Sequence, residues 1–262
     1  MLDSIKRQVR IWEKDRRHVW LTRLATFLWM QLQNQHDRLF MAATMRELAE
    51  TGLPRDVDAA VHAVMESPFG RPIRPMQLSP ELSALIKIVA ENKPKTVLEI
   101  GTARGGTLLL LCRFASPDAT VISVDLPYGR NGGGYPKWKE NHYKSFAMPG
   151  QKLHLIRADS HAPETVQKVQ DLLGDQGVDF LLIDADHSYE GARQDFESYG
   201  SLLTENGTIA VHDILPNHSD PSIEVNRLWR EIEADDSYDT ETIVADPRQG
   251  NCGIGLVRVP GK

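Results

Sequence analysis

From residue 79 onward, the chain alternates short runs of β-branched and other apolar residues with longer stretches that have helical spacing. The short runs are Thr96–Ile100, Thr120–Val124, Leu153–Ile156, Phe180–Ile183 and Thr208–Val211. This alternation predicts parallel strands that crossover helices bury on both faces. Two more strand-like runs, Glu241–Val244 and Gly253–Val259, are joined by turn residues without a helix. The pattern predicts an α/β fold with a doubly wound, mostly parallel, seven-stranded sheet and a C-terminal antiparallel hairpin.

The first part of the chain has a different pattern. Residues 1 to about 50 contain no proline, and their apolar positions recur at helical spacing. A proline-rich segment then runs from Ser67 to Pro80, where Ser79 is expected to cap the next helix. We therefore expect a helical N-terminal arm over residues 1–66 and a main domain over residues 67–262. The arm is expected to pack on its own domain, to form a homodimer or higher homo-oligomer, or to cover the site as a lid.

Composition narrows the class of protein. The chain has 41% hydrophobic and 25% charged residues, as folded proteins do, and its net charge of −6 argues against a nucleic-acid partner. Its most apolar early stretch is too short to span a membrane, and no secretory signal is visible. The two cysteines, Cys112 and Cys252, have no metal-binding spacing, so we expect reduced thiols in a cytoplasmic protein.

A glycine-rich turn follows the first predicted strand. Gly101 ends that strand and Gly105-Gly106 open an apolar helix, so a ligand can approach the backbone and meet the helix N-terminus. The spacing differs from the dinucleotide-binding G-x-G-x-x-G motif. Asp125 closes the second strand, where a carboxylate can hold two ribose hydroxyls, and Asp159 follows the third strand. These features indicate a site for a nucleoside-containing ligand.

Over about residues 75–260, this set of acids and glycines resembles the class I S-adenosylmethionine-dependent methyltransferases. The resemblance implies a Rossmann-like fold and S-adenosylmethionine as the cofactor. It implies that Glu99 and Gly101 hold the methionine end, that Asp125 binds the ribose, and that Asp159 with Ser160 binds the adenine. The rest of the expected cofactor-binding set is Thr102, Gly105, Thr107 and Asp184.

A second cluster of acids and histidines follows the fourth and fifth strands. Asp184 and His187 follow one strand, and His212-Asp213 follow the next. Carboxylates from neighbouring strand ends favour a hard cation, so Asp184 and Asp213 are the candidate ligands of Mg²⁺. With His212 as a third ligand, Mn²⁺ becomes more plausible. His187 is the candidate general base, since an imidazole titrates near neutral pH.

The residues Ile183–Gly191 and Val211–Ile214 also resemble a metal-dependent O-methyltransferase branch. That branch includes macrocin and mycinamicin sugar methyltransferases and cephalosporin hydroxylase-like proteins. Its Asp-x-x-base pattern implies a metal ligand at Asp184 and a base at His187. Its second pair is usually Glu-Asp or Asp-Asn, so His212-Asp213 departs from the pattern.

The expected function is methyl transfer to a hydroxyl of a small molecule, such as a sugar, a polyketide-like compound or a catechol-like diol. Two alternatives remain open: a metal-dependent hydroxylase, and a binding protein that has lost turnover. The glycine-rich segment Gly129–Trp138, with Tyr143 beyond it, is expected to be either a substrate lid or a plain surface loop.

Overall fold

The structure is a computed structural model that describes residues 19–127 and 134–258, with side chains from residue 31 onward. Residues 1–18 of the expected arm, Tyr128 with Gly129–Gly133 of the expected loop, and Val259 of the expected hairpin lie outside the described residues. The chain divides into two compact units, Met1–Gly52 and Leu53–Lys262. Among the described residues, no helix is both long enough and apolar enough to cross a membrane.

In the first unit, the described residues form one helix, α1 (Val19–Thr51). The second unit begins with α2 (Val57–Met65), α3 (Ser79–Asn92), β1 (Thr96–Ile100), α4 (Gly106–Phe114) and β2 (Thr120–Val124). It continues with α5 (Glu140–Lys144), β3 (Lys152–Ile156), α6 (Pro163–Leu173), β4 (Val178–Ile183) and α7 (Tyr189–Gly200). It ends with β5 (Leu203–His212), α8 (Val225–Glu233), β6 (Asp239–Ile243) and β7 (Ile254–Arg258).

The seven strands form one sheet in the order β3-β2-β1-β4-β5-β7-β6. The first five pair in parallel, while β7 pairs antiparallel with both β5 and β6. The predicted mixed sheet and C-terminal hairpin are therefore confirmed. The chain reverses its winding direction between β1 and β4, and open α/β sheets bind ligands in the crevice at the carboxyl ends of strands at such a point.

The second compact unit begins with α2, which packs against α3 and α4 of the sheet unit. The expected domain boundary at residues 66–67 stays a prediction. Ser79 is the first residue of α3 and not its cap. The N-cap is Leu78, which has no side-chain cap, and the Ser79 hydroxyl donates to Glu66 Oε1 at 3.1 Å.

Alternation along the strands decides which side chains reach each face of the sheet. Leu98 and Ile100 of β1 join a core cluster with residues of α6, α7 and α8. Glu99 lies between them, so its side chain points to the opposite face. There it lies level with Ser123 of β2, its partner in the parallel register. A carboxyl group is thus placed in the interior beside the carboxyl ends of the strands.

Candidate active site

The glycine turn packs so closely that two of its glycines cannot carry a side chain. Gly101 has φ +101°, and a Cβ atom there would lie 2.0 Å from the carbonyl oxygen of Asp184. Gly105 has φ +86°, and its Cβ would lie 2.6 Å from the ring of Tyr143. The Tyr143 hydroxyl donates to the Arg104 carbonyl at 2.6 Å. The turn is therefore fixed between the end of β4 and the Tyr143 ring, and its shape requires glycine at both positions.

Glu99 lies directly before this turn and is fully buried. Its Oε2 accepts a hydrogen bond from the Ser123 hydroxyl at 2.7 Å, whereas Oε1 has no hydrogen-bond partner among the described residues. Burial raises the pKa of Glu99 to about 8, despite the opposing effect of the Ser123 hydroxyl. A buried carboxyl oxygen without a partner is uncommon in proteins, and it is the kind of group that a bound cation satisfies.

Asp125 follows β2 and holds two segments together. Its Oδ1 accepts from the amides of Thr102 and Ala103 at 3.1 and 3.2 Å, and its Oδ2 accepts from the amide of Tyr135 at 2.7 Å. Burial raises the pKa of Asp125 above its ordinary value, and these three donors oppose that shift. A carboxylate has about four acceptor positions, so some capacity remains for a ligand hydroxyl.

Asp159 and Ser160 lie at the end of β3, next to β2 in the sheet. The Asp159 side chain is 54% exposed, and its Oδ1 accepts from the amide of His161 at 3.0 Å. Ser160 is buried, and its carbonyl accepts from the Tyr199 hydroxyl at 2.7 Å. Both residues therefore lie at the ligand edge of the sheet, where the sequence placed them.

Four predicted residues meet in one cluster at the ends of β4 and β5. His212 Nδ1 lies 3.1 Å from Asp184 Oδ1, and His187 Nε2 lies 3.6 Å from the same oxygen. His187 Nδ1 lies 3.5 Å from Asp213 Oδ2. Candidate ligand atoms of Asp184, His187 and Asp213 all lie within 4.8 Å of one another. The expected cluster of two carboxylates and two histidines is therefore present.

The charges in this cluster stabilise one another. Burial alone would raise the pKa of Asp184. His212 and His187 lower that pKa by more than burial raises it, so it lies below its ordinary value. Burial alone would lower the pKa values of both histidines. The Asp184 carboxylate outweighs burial, so the pKa of His187 is raised and that of His212 is raised well above its ordinary value. Ionised carboxylates beside imidazoles can bind a cation when the imidazoles lose their protons.

Gln77 is a member of the site that the sequence did not indicate. Its Nε2 donates to Asp184 Oδ2 at 2.9 Å, and its Oε1 accepts from the Thr107 hydroxyl at 3.4 Å. It thereby links the metal-ligand candidate of β4 to the glycine turn. Gln77 belongs to the proline-rich segment before α3, where no spacing or motif distinguishes it from a connecting residue.

Two aromatic residues that were expected near a substrate lid or a plain surface loop are part of the interior. Tyr135 and Tyr143 are buried, and their rings make an edge-to-face contact with centroids 4.9 Å apart. Through the Tyr135 amide, the described part of the glycine-rich segment is tied to Asp125. These two rings therefore support the glycine turn.

Comparisons with known proteins identify a matching family model and a matching fold. Residues 98–214 match the model of a family described as a methyltransferase domain. The structure is similar to that of the O-methyltransferase TomG from Streptomyces achromogenes, in complex with S-adenosylmethionine, at a TM-score of 0.55 and 15% identity. That likeness covers 84% of this chain and 96% of that one. The chain has the class I methyltransferase fold.

Two other known proteins extend the comparison. An O-methyltransferase from Bacillus cereus, in complex with S-adenosylhomocysteine, matches this class I fold at a TM-score of 0.57 and 17% identity, over 83% of this chain and 97% of that one. An uncharacterized protein of Acanthamoeba polyphaga mimivirus is 30% identical over 146 residues, which are 55% of this chain and 63% of that protein. The expected resemblance to class I methyltransferases is confirmed, and the closer likeness to the macrocin and mycinamicin branch stays a prediction.

Proposed function

We propose that this protein is an S-adenosylmethionine-dependent O-methyltransferase that acts on a hydroxyl group of a small molecule, with a divalent cation at the Asp184–Asp213 edge. The observation that carries the proposal is the joint placement of two features on one sheet edge. The first is the glycine turn beside the unpartnered carboxyl oxygen of Glu99. The second is the cluster of Asp184, His187 and Asp213.

The chain offers groups that suit each part of the cofactor. Glu99 Oε1 is buried without a partner and suits the ammonium of the methionine end. Asp125 has acceptor capacity left for ribose hydroxyls, and Asp159 with Ser160 lies beyond it for the adenine. The turn formed by Gly101, Thr102, Gly105 and Thr107 allows close backbone approach, and the N-terminus of α4 favours a carboxylate there.

Asp184 and Asp213 suit a hard divalent cation, because they supply two carboxylates and leave coordination positions for an acceptor molecule. When bound, S-adenosylmethionine supplies an activated methyl group, and the cation supplies a positive charge that acidifies a neighbouring hydroxyl. His187 is then the residue that accepts the hydroxyl proton. The His187 side chain is 13% exposed, and its buried Nδ1 makes no hydrogen bond with any described residue, so one ring nitrogen is left without a hydrogen-bond partner.

The first test measures cofactor binding. Calorimetric titration of the protein with S-adenosylmethionine and S-adenosylhomocysteine is expected to show micromolar binding. Asp125→Asn is expected to weaken binding at least tenfold, because one acceptor oxygen is lost, together with the hydrogen bond from the Tyr135 amide, while the other oxygen can still hold the turn amides. Thermal unfolding of the variant checks that the fold is intact. Binding by neither compound would refute the proposal and would favour the hydroxylase alternative.

The second test measures turnover. In a screen of sugars, polyketide-like compounds and catechols with added Mg²⁺, formation of S-adenosylhomocysteine identifies an acceptor. His187→Ala is then expected to lower kcat by about 10²–10⁴-fold, the usual contribution of a general base, with cofactor affinity unchanged. His62→Ala, which removes an exposed histidine of α2, is the matched control. Full turnover in His187→Ala would assign the base to another residue.

A further inference from the structure

A second group of possible metal ligands lies beside the Asp184–His187 pair and includes a cysteine. Candidate ligand atoms of His212, Asp213 and Cys252 all lie within 4.8 Å of one another, and all three residues are buried. The group forms because β5 and β7 pair antiparallel, with His212 opposite Ile254. The contact continues past the strands, where the amide of Leu215 donates to the carbonyl of Cys252 at 3.0 Å.

His212 supplies an independent indication of a ligand. Its side chain is only 4% exposed, and although Nδ1 lies 3.1 Å from Asp184 Oδ1, Nε2 makes no hydrogen bond with a described residue. Buried imidazoles in proteins almost always have a hydrogen-bond or metal partner. Here the polar groups nearest the ring are the Asp184 and Asp213 carboxylates and the Cys252 thiol.

The backbone at this site is also unusual. Asp213 has φ +63° and Cys252 has φ +59°, in the left-handed region that residues with a side chain seldom adopt. Strained backbone of this kind is concentrated at functional sites, where the surrounding structure maintains it. Both conformations belong to members of the same group of candidate ligands.

The chemistry of these side chains differs from that of a magnesium site. Imidazole nitrogen, carboxylate oxygen and thiolate sulfur together suit a borderline ion such as Zn²⁺ or Co²⁺, whereas Mg²⁺ prefers oxygen ligands alone. We propose that His212, Asp213 and Cys252 bind a thiophilic divalent transition-metal ion, with the Cys252 sulfur as a direct ligand. Binding releases the thiol proton to solvent and involves no change of oxidation state.

This inference goes beyond the proposed function, since it adds a second ligand group that shares Asp213 with the Asp184–Asp213 cation site. It rests on that function only for the role of the ion in methyl transfer. Because Asp213 belongs to both ligand groups, an ion held by Cys252 would lie next to Asp184 and His187. The sequence indicates His212 and Asp213 as candidate ligands but gives no sign of Cys252, a cysteine without metal-binding spacing.

The test uses Co²⁺ as a spectroscopic probe for thiolate ligation. Metal-free full-length protein titrated with Co²⁺ is expected to bind one equivalent and to develop a thiolate-to-cobalt charge-transfer band in the near ultraviolet. Zn²⁺ should displace the cobalt and abolish the band, while excess Mg²⁺ should not. Cys252→Ser is expected to lose the band, and Cys112→Ser, which alters the other buried thiol, is expected to keep it. Thermal unfolding of both variants checks their folding.

The outcomes separate this inference from the proposed function. Cobalt binding without the charge-transfer band, or no cobalt binding, would overturn the thiolate site. A band that persists in folded Cys252→Ser would also overturn it. If Cys252→Ser does not fold, His212→Gln provides the second test, with at least a tenfold loss of cobalt affinity expected and unchanged affinity contradicting the site. Titration of the same samples with S-adenosylmethionine tests the proposed function independently, because cofactor binding requires neither thiol.

Discussion

At the scale of single residues, Glu99 has a carboxyl group that the protein keeps mostly protonated at neutral pH. Burial raises its pKa to about 8, and the Ser123 hydroxyl, which donates to it, opposes that shift. In the proposed complex, the ammonium of the methionine end would lie against this carboxyl and favour its ionised form. Cofactor binding would then be coupled to the release of one proton.

The sign of the resulting pH dependence follows from that release. Cofactor affinity is expected to rise about tenfold for each pH unit between about pH 6 and 8, and to level off above the Glu99 pKa of about 8. Calorimetry at several pH values, in buffers with different ionisation enthalpies, measures both the affinity and the proton release. Glu99→Gln is expected to bind more weakly and to lose the dependence, whereas the exposed Glu91→Gln keeps it. Equal affinity at pH 6 and pH 8 would contradict this account.

Other residue-scale features show what the sequence could reveal. Asp125, Asp184 and Asp213 were predictable, because the end of a parallel strand can be located from its apolar run, and acids at those ends lie on one edge. The three amides that donate to Asp125 were not predictable. They come from the conformation of the glycine turn and from Tyr135, and loop conformation leaves no periodic pattern in the sequence.

At the scale of elements, an ion pair between a partly buried histidine and a buried carboxylate joins the loop after β3 to α7. His161 Nε2 lies 3.4 Å from Oδ1 of Asp195, a fully buried carboxylate of α7. The Asp195 carboxylate raises the pKa of His161 to about 9, against the opposing effect of burial. The Gln194 side chain also donates to the His161 carbonyl at 3.1 Å. The loop that carries Asp159 and Ser160 is thus anchored to a helix.

This pair predicts a pH-dependent stability. Because the folded pKa of His161, about 9, exceeds its unfolded value of 6.5, the stabilisation is complete below pH 6.5 and is lost as pH rises through 9. His161→Gln should therefore lower the unfolding free energy by about 2–3 kcal/mol at pH 6, and by much less at pH 10. Urea unfolding at both pH values measures the difference.

The exposed His62→Gln serves as the control for this pair and should alter stability little at either pH. An equal loss of stability in His161→Gln at pH 6 and pH 10 would show that packing, and not the ion pair, supplies the contribution of His161. Because Asp195 is fully buried, added salt should weaken the effect only slightly.

Element boundaries followed the sequence at two strands but not at every buried one, since β4 starts at Val178 and not at the predicted Phe180. The predicted limits of β1 and β2 agree with the structure at both ends. By contrast, β5 begins at Leu203, before the predicted start at Thr208, because it extends through the polar residues Thr204–Gly207, whose composition is typical of a turn. Its pairing with β4 shifts register between Val178 and Phe180, an irregularity that the sequence does not indicate.

At the scale of the whole molecule, the candidate site combines segments far apart in the chain. Gln77 contacts Asp184, 107 residues away, and Glu81 Oε2 accepts from the amide of Gly253, 172 residues away. The alternation of strands and helices predicted the sheet and its ligand edge. The alternation could not predict these contacts, since Gln77 and Gly253 come from irregular segments whose positions depend on the complete fold.

Every candidate site residue belongs to the second compact unit, Leu53–Lys262. This unit contains the entire seven-stranded sheet and the hydrophobic core cluster that α6, α7 and α8 form with it. Domains of about 200 residues ordinarily bury enough apolar surface to fold alone. The expected role of the N-terminal arm in assembly can therefore be tested separately from cofactor binding.

Deletion of residues 1–52 is expected to leave a protein that unfolds cooperatively and binds S-adenosylmethionine with the affinity of the full chain. If the arm forms a homodimer or higher homo-oligomer, size-exclusion chromatography with light scattering should find the full chain oligomeric and the truncated chain monomeric. If the arm acts as a lid, the full chain and the truncated chain should have the same oligomeric state, and the full chain should release the cofactor more slowly. Loss of cooperative unfolding in the truncated chain would instead show that the sheet unit depends on the arm for stability.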